Sequence, residues 1–281
     1  MSGELVTAEW LSERLGGAGT KVVDASWYLP AQNRDGRAEF LAGHIPGAVY
    51  FDIDAISDRS TGLPHMLPDQ ATFAAAAGAL GLSEHDLIVV YDGMGIFSAP
   101  RVWWMLRTFG ATDVHVLNGG LAAWKDADLP LEAGEARPTP ARFLPSFDAA
   151  ALADFHAVSA ALKSGTDMVV DARSPPRFRG VSPEPRPGLR AGHMPGARNV
   201  HYERVLDEHG RMRPPEEIRG IFQQAGVDLS SPVITSCGSG ITAATLLLAL
   251  AQLGKEDVRL YDGSWSEWGA REEAPVVQGD A

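Results

Sequence analysis

Gly43-His44-Ile45-Pro46-Gly47-Ala48 returns as Gly192-His193-Met194-Pro195-Gly196-Ala197, an offset of 149 (192 − 43). Outward from these boxes, Val22-Val23-Asp24-Ala25 returns as Val169-Val170-Asp171-Ala172 at an offset of 147 (169 − 22). Asn118-Gly119-Gly120 followed by Trp124 is echoed by Asp262-Gly263-Ser264 followed by Trp268, an offset of 144 (268 − 124). Landmarks kept in one order at a nearly constant spacing mark an internal repeat. Two copies are too few for a solenoid, and each is too long for a propeller blade. The pattern is a tandem duplication of a domain of roughly 120 to 130 residues, an ordinary domain size. The expected domains are 1–136 and 147–281. Between them, Pro138, Pro140 and Pro145 deny a helix and predict an extended linker over 137–146.

Within each copy, short β-rich runs alternate with helical spacing. Strands are predicted over 21–24, 87–91, 115–117, 168–171, 233–236 and 258–261, and helices over 69–80, 99–109, 215–225 and 242–253. Pro100 suits the first turn of its helix, and Gly254 ends the last one. This alternation predicts the α/β class, with each domain a mostly parallel sheet flanked by helices. In such sheets ligands sit beyond the carboxyl ends of the strands.

Composition narrows the function. The 281 residues include 24 Lys+Arg against 36 Asp+Glu, a net charge of −12, which disfavours a nucleic-acid partner. The single cysteine excludes an internal disulfide, a cysteine-based zinc knuckle and a pair of resolving thiols. The first ten residues lack the basic and apolar pattern of a secretory signal. The most apolar stretch, 241–253, falls short of the roughly 20 residues a membrane helix needs. The expectation is a cytoplasmic, reducing setting with no membrane partner, no metal and no cofactor. Gly93-Met94-Gly95 and Gly238-Ser239-Gly240 each lack the third glycine of a dinucleotide fingerprint. The tryptophans are read as core. His44 and His193 recur in both copies and are read as structural.

The one thiol falls where a ligand site is expected. Cys237 follows a predicted strand and precedes Gly238-Ser239-Gly240-Ile241-Thr242, which opens a helix. Successive N–H groups in such a loop form a nest for negative charge, and the start of the helix adds partial positive charge. Both favour the nucleophilic thiolate. The first copy has Asp92 at the equivalent place (237 − 92 = 145), so it is expected to be catalytically silent.

The doubled pattern, the two GHxPGA-type boxes and the Cys-Gly-Ser-Gly-Ile-Thr loop resemble the tandem rhodanese-like sulfurtransferases, from Trp10 through Trp268. Thiosulfate-using members carry basic residues just after the cysteine. Here Gly238 and Ser239 take those places, a pattern that resembles the 3-mercaptopyruvate-using branch. The resemblance implies that Arg177 and Arg186 clamp the carboxylate and keto oxygen of the substrate, with Gly238, Gly240, Ile241 and Thr242 lining the loop. An arginine fork suits a planar α-keto acid. It also implies that Asp54 and His65 stand beside Ser239 as a proton relay, so that the silent copy would complete the site of the other.

The reaction so implied moves the sulfur of 3-mercaptopyruvate onto Cys237 as a persulfide and releases pyruvate. A thiol such as thioredoxin or glutathione, or cyanide, then accepts the sulfur. The alternatives are a thiosulfate sulfurtransferase, a non-catalytic sulfur-carrier module and a cysteine phosphatase. The last would want an arginine six residues after the cysteine, where Ala243 stands.

Overall fold

A computed structural model describes residues 3–17 and 19–280. The chain forms two compact units. The first takes the chain through Asp58, then Leu67–Asp148 and Leu206–Met212; the second takes Arg59–Met66, Ala149–Val205 and the chain from Arg213 on. Each unit thus owns a short segment from the other's half of the sequence.

In the first unit, strands β1 (Leu5–Val6), β2 (Thr20–Asp24), β3 (Ala48–Tyr50), β4 (Leu87–Tyr91) and β5 (Asp113–Leu117) form one sheet in the order β1-β5-β4-β2-β3. Its helices are α1 (Ala8–Ser12), α2 (Gly36–Ala42), α3 (Ile53–Ile56), α4 (Gln70–Ala79), α5 (Ala99–Thr108) and α6 (Gly120–Asp126). The second unit repeats the plan. Strands β6 (Leu152–Ala153), β7 (Met168–Asp171), β8 (Arg198–Asn199), β9 (Val233–Ser236) and β10 (Val258–Tyr261) run in the order β6-β10-β9-β7-β8. They are joined by α7 (Phe155–Ser164), α8 (Pro175–Phe178), α9 (Pro215–Gln224), α10 (Ile241–Ala251) and α11 (Ser264–Trp268). Every strand pair in both sheets is parallel. The predicted α/β class and sheet type are therefore observed.

The repeat is packing as well as sequence. Trp124 and Trp268 are both buried, and their indole N–H groups donate to Pro130 O at 2.8 Å and Pro275 O at 2.9 Å. His44 stacks on Phe40 at 3.9 Å and His193 on Phe178 at 3.8 Å, each with Nδ1 bonded to the carbonyl oxygen of that phenylalanine. Both histidines are thus held by the architecture of the box. Helix α10 is buried almost all round, from Ile241 through Leu250, apart from the partly exposed Thr242. Its apolar composition is that of a core helix.

The chain over 137–146 is extended and lies as a strap on the first unit. The Ala141 N–H donates to Gly78 O at 2.9 Å, the Leu144 N–H to Glu84 Oε2 at 2.8 Å and the Ser146 N–H to Phe109 O at 2.9 Å. Phe143 is buried, edge-on to Phe73. A side chain at Gly78 would come within 2.7 Å of Ala141 O, so the strap needs the glycine.

Candidate active site

Strand β9 is a central strand, buried throughout, and delivers Cys237 at its carboxyl end. The residue is 2% exposed. Between β9 and α10 lie only Cys237, Gly238, Ser239 and Gly240. Gly240 caps the helix with φ of 82°, a conformation that favours glycine, and its N–H donates to Cys237 Sγ at 3.2 Å. That turn bends the backbone around the sulfur. Helix α11 grips the loop from behind: the Trp265 N–H donates to Cys237 O and the Ser266 N–H to Gly238 O, both at 2.9 Å. Ser266 Oγ adds a second bond to Gly238 O at 2.7 Å. These bonds hold the Cys237 and Gly238 carbonyls toward α11, while the Gly240 N–H faces the sulfur.

Ser264, at φ of 47°, accepts from the Cys237 N–H at 3.2 Å and donates to Tyr261 O at 2.8 Å. A non-glycine residue in this region carries strain of order 1 kcal/mol, and such strain gathers at functional sites.

Arg177, on α8, lies against the loop. A side chain at Gly238 would meet its Nη2 at 3.0 Å, so a glycine there lets the guanidinium come close. Glu184 holds Arg177 through Nη2 at 2.5 Å and Nε at 3.3 Å. Glu184 also accepts from Arg173 Nη1 at 2.8 Å, and Arg173 is in turn bonded to Asp171. Arg186 is partly buried, two residues beyond Glu184.

His65 belongs to the second unit through the segment Arg59–Met66. It is buried, and its Nδ1 lies 3.0 Å from Ser239 Oγ and 3.3 Å from Ser239 O. A carbonyl oxygen only accepts, so a hydrogen on Nδ1 serves both contacts. His65 then donates to the hydroxyl, and the hydroxyl's own hydrogen is left to point elsewhere. The structure therefore brings Ser239 and His65 together. Asp54 lies in the first unit, where Oδ2 accepts from Trp27 Nε1 at 2.9 Å.

Sequence reading missed several residues of this site. The chain Asp171–Arg173–Glu184–Arg177 is buried, and only its last member reaches moderate exposure. Its signal was the Asp-x-Arg spacing at the end of β7. His201, just after β8, is half-buried. Burial, together with the Arg177 guanidinium and against the opposing pull of Glu203, lowers its imidazole below the ordinary range. No motif marks it.

In the first unit the equivalent loop is filled by its own side chain. Asp92 Oδ2 accepts from the N–H groups of Phe97 at 2.8 Å, Ser98 at 2.9 Å and Ala99 at 2.8 Å, and Oδ1 accepts from Met94 at 2.8 Å. The Leu121 N–H donates to Asp92 O at 3.0 Å, the counterpart of the bond from Trp265 to Cys237 O. Here the helix starts at Ala99, seven residues after Asp92, against four residues from Cys237 to Ile241.

Comparison with known proteins agrees with this double architecture. The rhodanese-like domain family matches the chain twice, over residues 7–127 and 154–271. A 3-mercaptopyruvate sulfurtransferase of Homo sapiens is 45% identical over 283 residues, covering 98% of this chain and 95% of the relative. The corresponding protein of Escherichia coli K12 is 47% identical over 272 residues, with 96% of each covered. A thiosulfate sulfurtransferase of Cricetulus griseus is 44% identical over 271 residues, covering 94% of this chain and 91% of the relative. The crystal structure of an Escherichia coli 3-mercaptopyruvate sulfotransferase superposes with a TM-score of 0.87 at 43% identity, covering 94% of this chain and 99% of that one.

Proposed function

We propose, from the premise that the chain belongs to the rhodanese-like family and carries its domain twice, that it is a 3-mercaptopyruvate sulfurtransferase with Cys237 as its nucleophile. The observation that carries this reading is the Cys237 loop itself. Its sulfur accepts an N–H from Gly240, and the Arg177 guanidinium stands over Gly238.

The Cys237 thiolate attacks the sulfur of 3-mercaptopyruvate. A sulfur–sulfur bond forms, the carbon–sulfur bond breaks, and its electron pair passes to the departing carbon as the enolate of pyruvate. One proton delivered to that carbon gives pyruvate. Ser239, polarised by His65, is the residue that manages this proton; Asp54 is the carboxylate assigned to support the imidazole. Arg177 and Arg186 hold the carboxylate and the keto oxygen. The sulfane sulfur stays on Cys237, held by the N–H groups of the loop through Ile241 and Thr242. A thiolate acceptor, or cyanide, takes it and regenerates the Cys237 thiolate. Thioredoxin and glutathione are the acceptors whose chemistry fits. A reducing compartment such as the cytoplasm suits a free thiol, and among the described residues no helix is long and apolar enough to cross a membrane.

Overall identity does not separate the two donors, since a thiosulfate-using relative scores almost as high. The loop does. Gly238 and Ser239 carry no charged side chain of their own for a dianion, and the guanidinium set against the loop is that of Arg177. The phosphatase alternative is disfavoured, because position 243 is a fully buried alanine in α10. The test is to incubate the protein with 3-mercaptopyruvate or thiosulfate separately, measuring pyruvate and the mass of one added sulfur on Cys237. Faster loading by 3-mercaptopyruvate is expected, and faster loading by thiosulfate overturns the donor assignment.

A further inference from the structure

We infer that Arg173 is a positioning residue that holds the substrate clamp and the nucleophile loop in register. The inference rests on the roles of Arg177 and Cys237 proposed above. The side chain of Arg173 is 0% exposed, and each part of its planar fork is used. Along one edge, Nε and Nη2 bond Asp171 Oδ2 at 2.9 Å and 2.7 Å, and Nη2 also bonds Gly192 O at 2.9 Å. Nη1 bonds Glu184 Oε1 at 2.8 Å, and Glu184 carries the guanidinium of Arg177. The face of the fork lies 4.1 Å from the ring of Trp265, whose backbone N–H holds Cys237 O. One buried cation therefore touches both arms of the site. Its edge fixes the residue that fixes Arg177, and its face packs on the residue that holds the cysteine loop. A lysine could not do this, since it lacks the planar fork and the flat face.

The first unit is the control. At the place of Arg173 it has Ser26 (173 − 147 = 26), and at the place of Trp265 it has Leu121 (265 − 144 = 121). Asp24, the counterpart of Asp171, accepts from the Ser26 N–H, and burial pushes its carboxyl up to about 6. The backbone bond from Leu121 to Asp92 O survives without any such cation. In that copy the loop is instead held from within, by the Asp92 carboxylate. Only the copy that carries the thiol has the arginine brace.

Two readouts separate the arms. The KM for 3-mercaptopyruvate reports the clamp; alkylation of Cys237 by iodoacetamide, which is uncharged and makes no use of the clamp, reports the loop. Glu184→Gln is expected to raise KM about tenfold, a loss of roughly 1.4 kcal/mol, with alkylation unchanged. Trp265→Leu, which imports the residue of the first unit, is expected to slow alkylation about fivefold with a smaller change in KM. Arg173→Lys is expected to move both readouts, and a change in one without the other overturns the inference. Should Arg173→Lys fail to fold, Glu184→Gln and Trp265→Leu are combined. Their effects on kcat/KM are expected to couple by at least about fivefold, since both act through Arg173, and additivity overturns the inference. Failure of the underlying reading shows separately, as a wild-type protein that forms no pyruvate from 3-mercaptopyruvate.

Discussion

The loop after β4 and the loop after β9 are one device with two fillings. Both leave a central parallel strand, both open a buried helix, and both have their first carbonyl held by an N–H from the short helix that follows the next strand. In the first, a carboxylate occupies the amide nest and is bound by four N–H groups. In the second, a sulfur stands at the mouth of a tighter turn and takes one N–H, from Gly240. An anion-binding turn filled by its own side chain is a structural knot. The same position with a thiol leaves the sulfur with an N–H from Gly240 in place of a carboxylate bound on both oxygens.

The largest effect that could break this comparison is at the sulfur. Cys237→Ser is expected to lower pyruvate formation about a thousandfold or more, while Asp92→Cys restores nothing. A persulfide on residue 92 would show that residue type alone, not loop length, separates the copies. Next, Asp92→Ala leaves four N–H groups of the first loop without their acceptor, and is expected to cost about 3 kcal/mol in denaturant unfolding. Added sulfate should recover part of that loss in the variant and not in the wild type.

A third test concerns the neighbouring carboxylate. Asp24 is shifted from 3.8 up to about 6, chiefly by burial. The folded state therefore holds this proton more tightly than the unfolded chain. The contribution is full below about pH 4 and is lost as pH rises through 6, by at most about 3 kcal/mol. Asp24→Asn should flatten that slope, so that its advantage over the wild type is larger at pH 7.5 than at pH 5. An equal effect at both values would show that the carboxylate is relieved by groups other than its neighbours in the loop. The smallest effect belongs to Ser264→Gly, which imports the Gly120 of the first unit. It relieves a strained φ but removes two hydrogen bonds, so stability should stay within about 1 kcal/mol while Cys237 alkylation slows.

Much of this is legible in the sequence, for physical reasons that differ by element. Strands β4, β7, β9 and β10 stand at the bounds their apolar runs predicted, because central parallel strands are buried on both faces. Strands β1, β6 and β8 span two residues each and carry no period to read. Cys237 could be located from its strand, its glycines and the following helix. Arg173 could not be weighed, because its partners lie at Glu184 and Trp265 and only the fold collects them. The meeting of His65 with Ser239 spans 174 residues and was expected from the resemblance alone.

The exchange of segments between the two units bears on how such a protein can be inherited. A gene fragment beginning after the proline-rich strap would encode the whole Cys237 loop, α10 and the arginine brace. It would not encode His65, which the second unit draws from Arg59–Met66. The opposite fragment would lack Leu206–Met212, through which the Met212 N–H donates to Asn118 Oδ1 at 2.8 Å in the first unit. Either fragment would lack a segment that belongs to the unit it keeps, so neither half of the sequence is a self-contained module. A single cut at the strap therefore separates the two copies cleanly in neither direction, although only one of their loops carries a thiol.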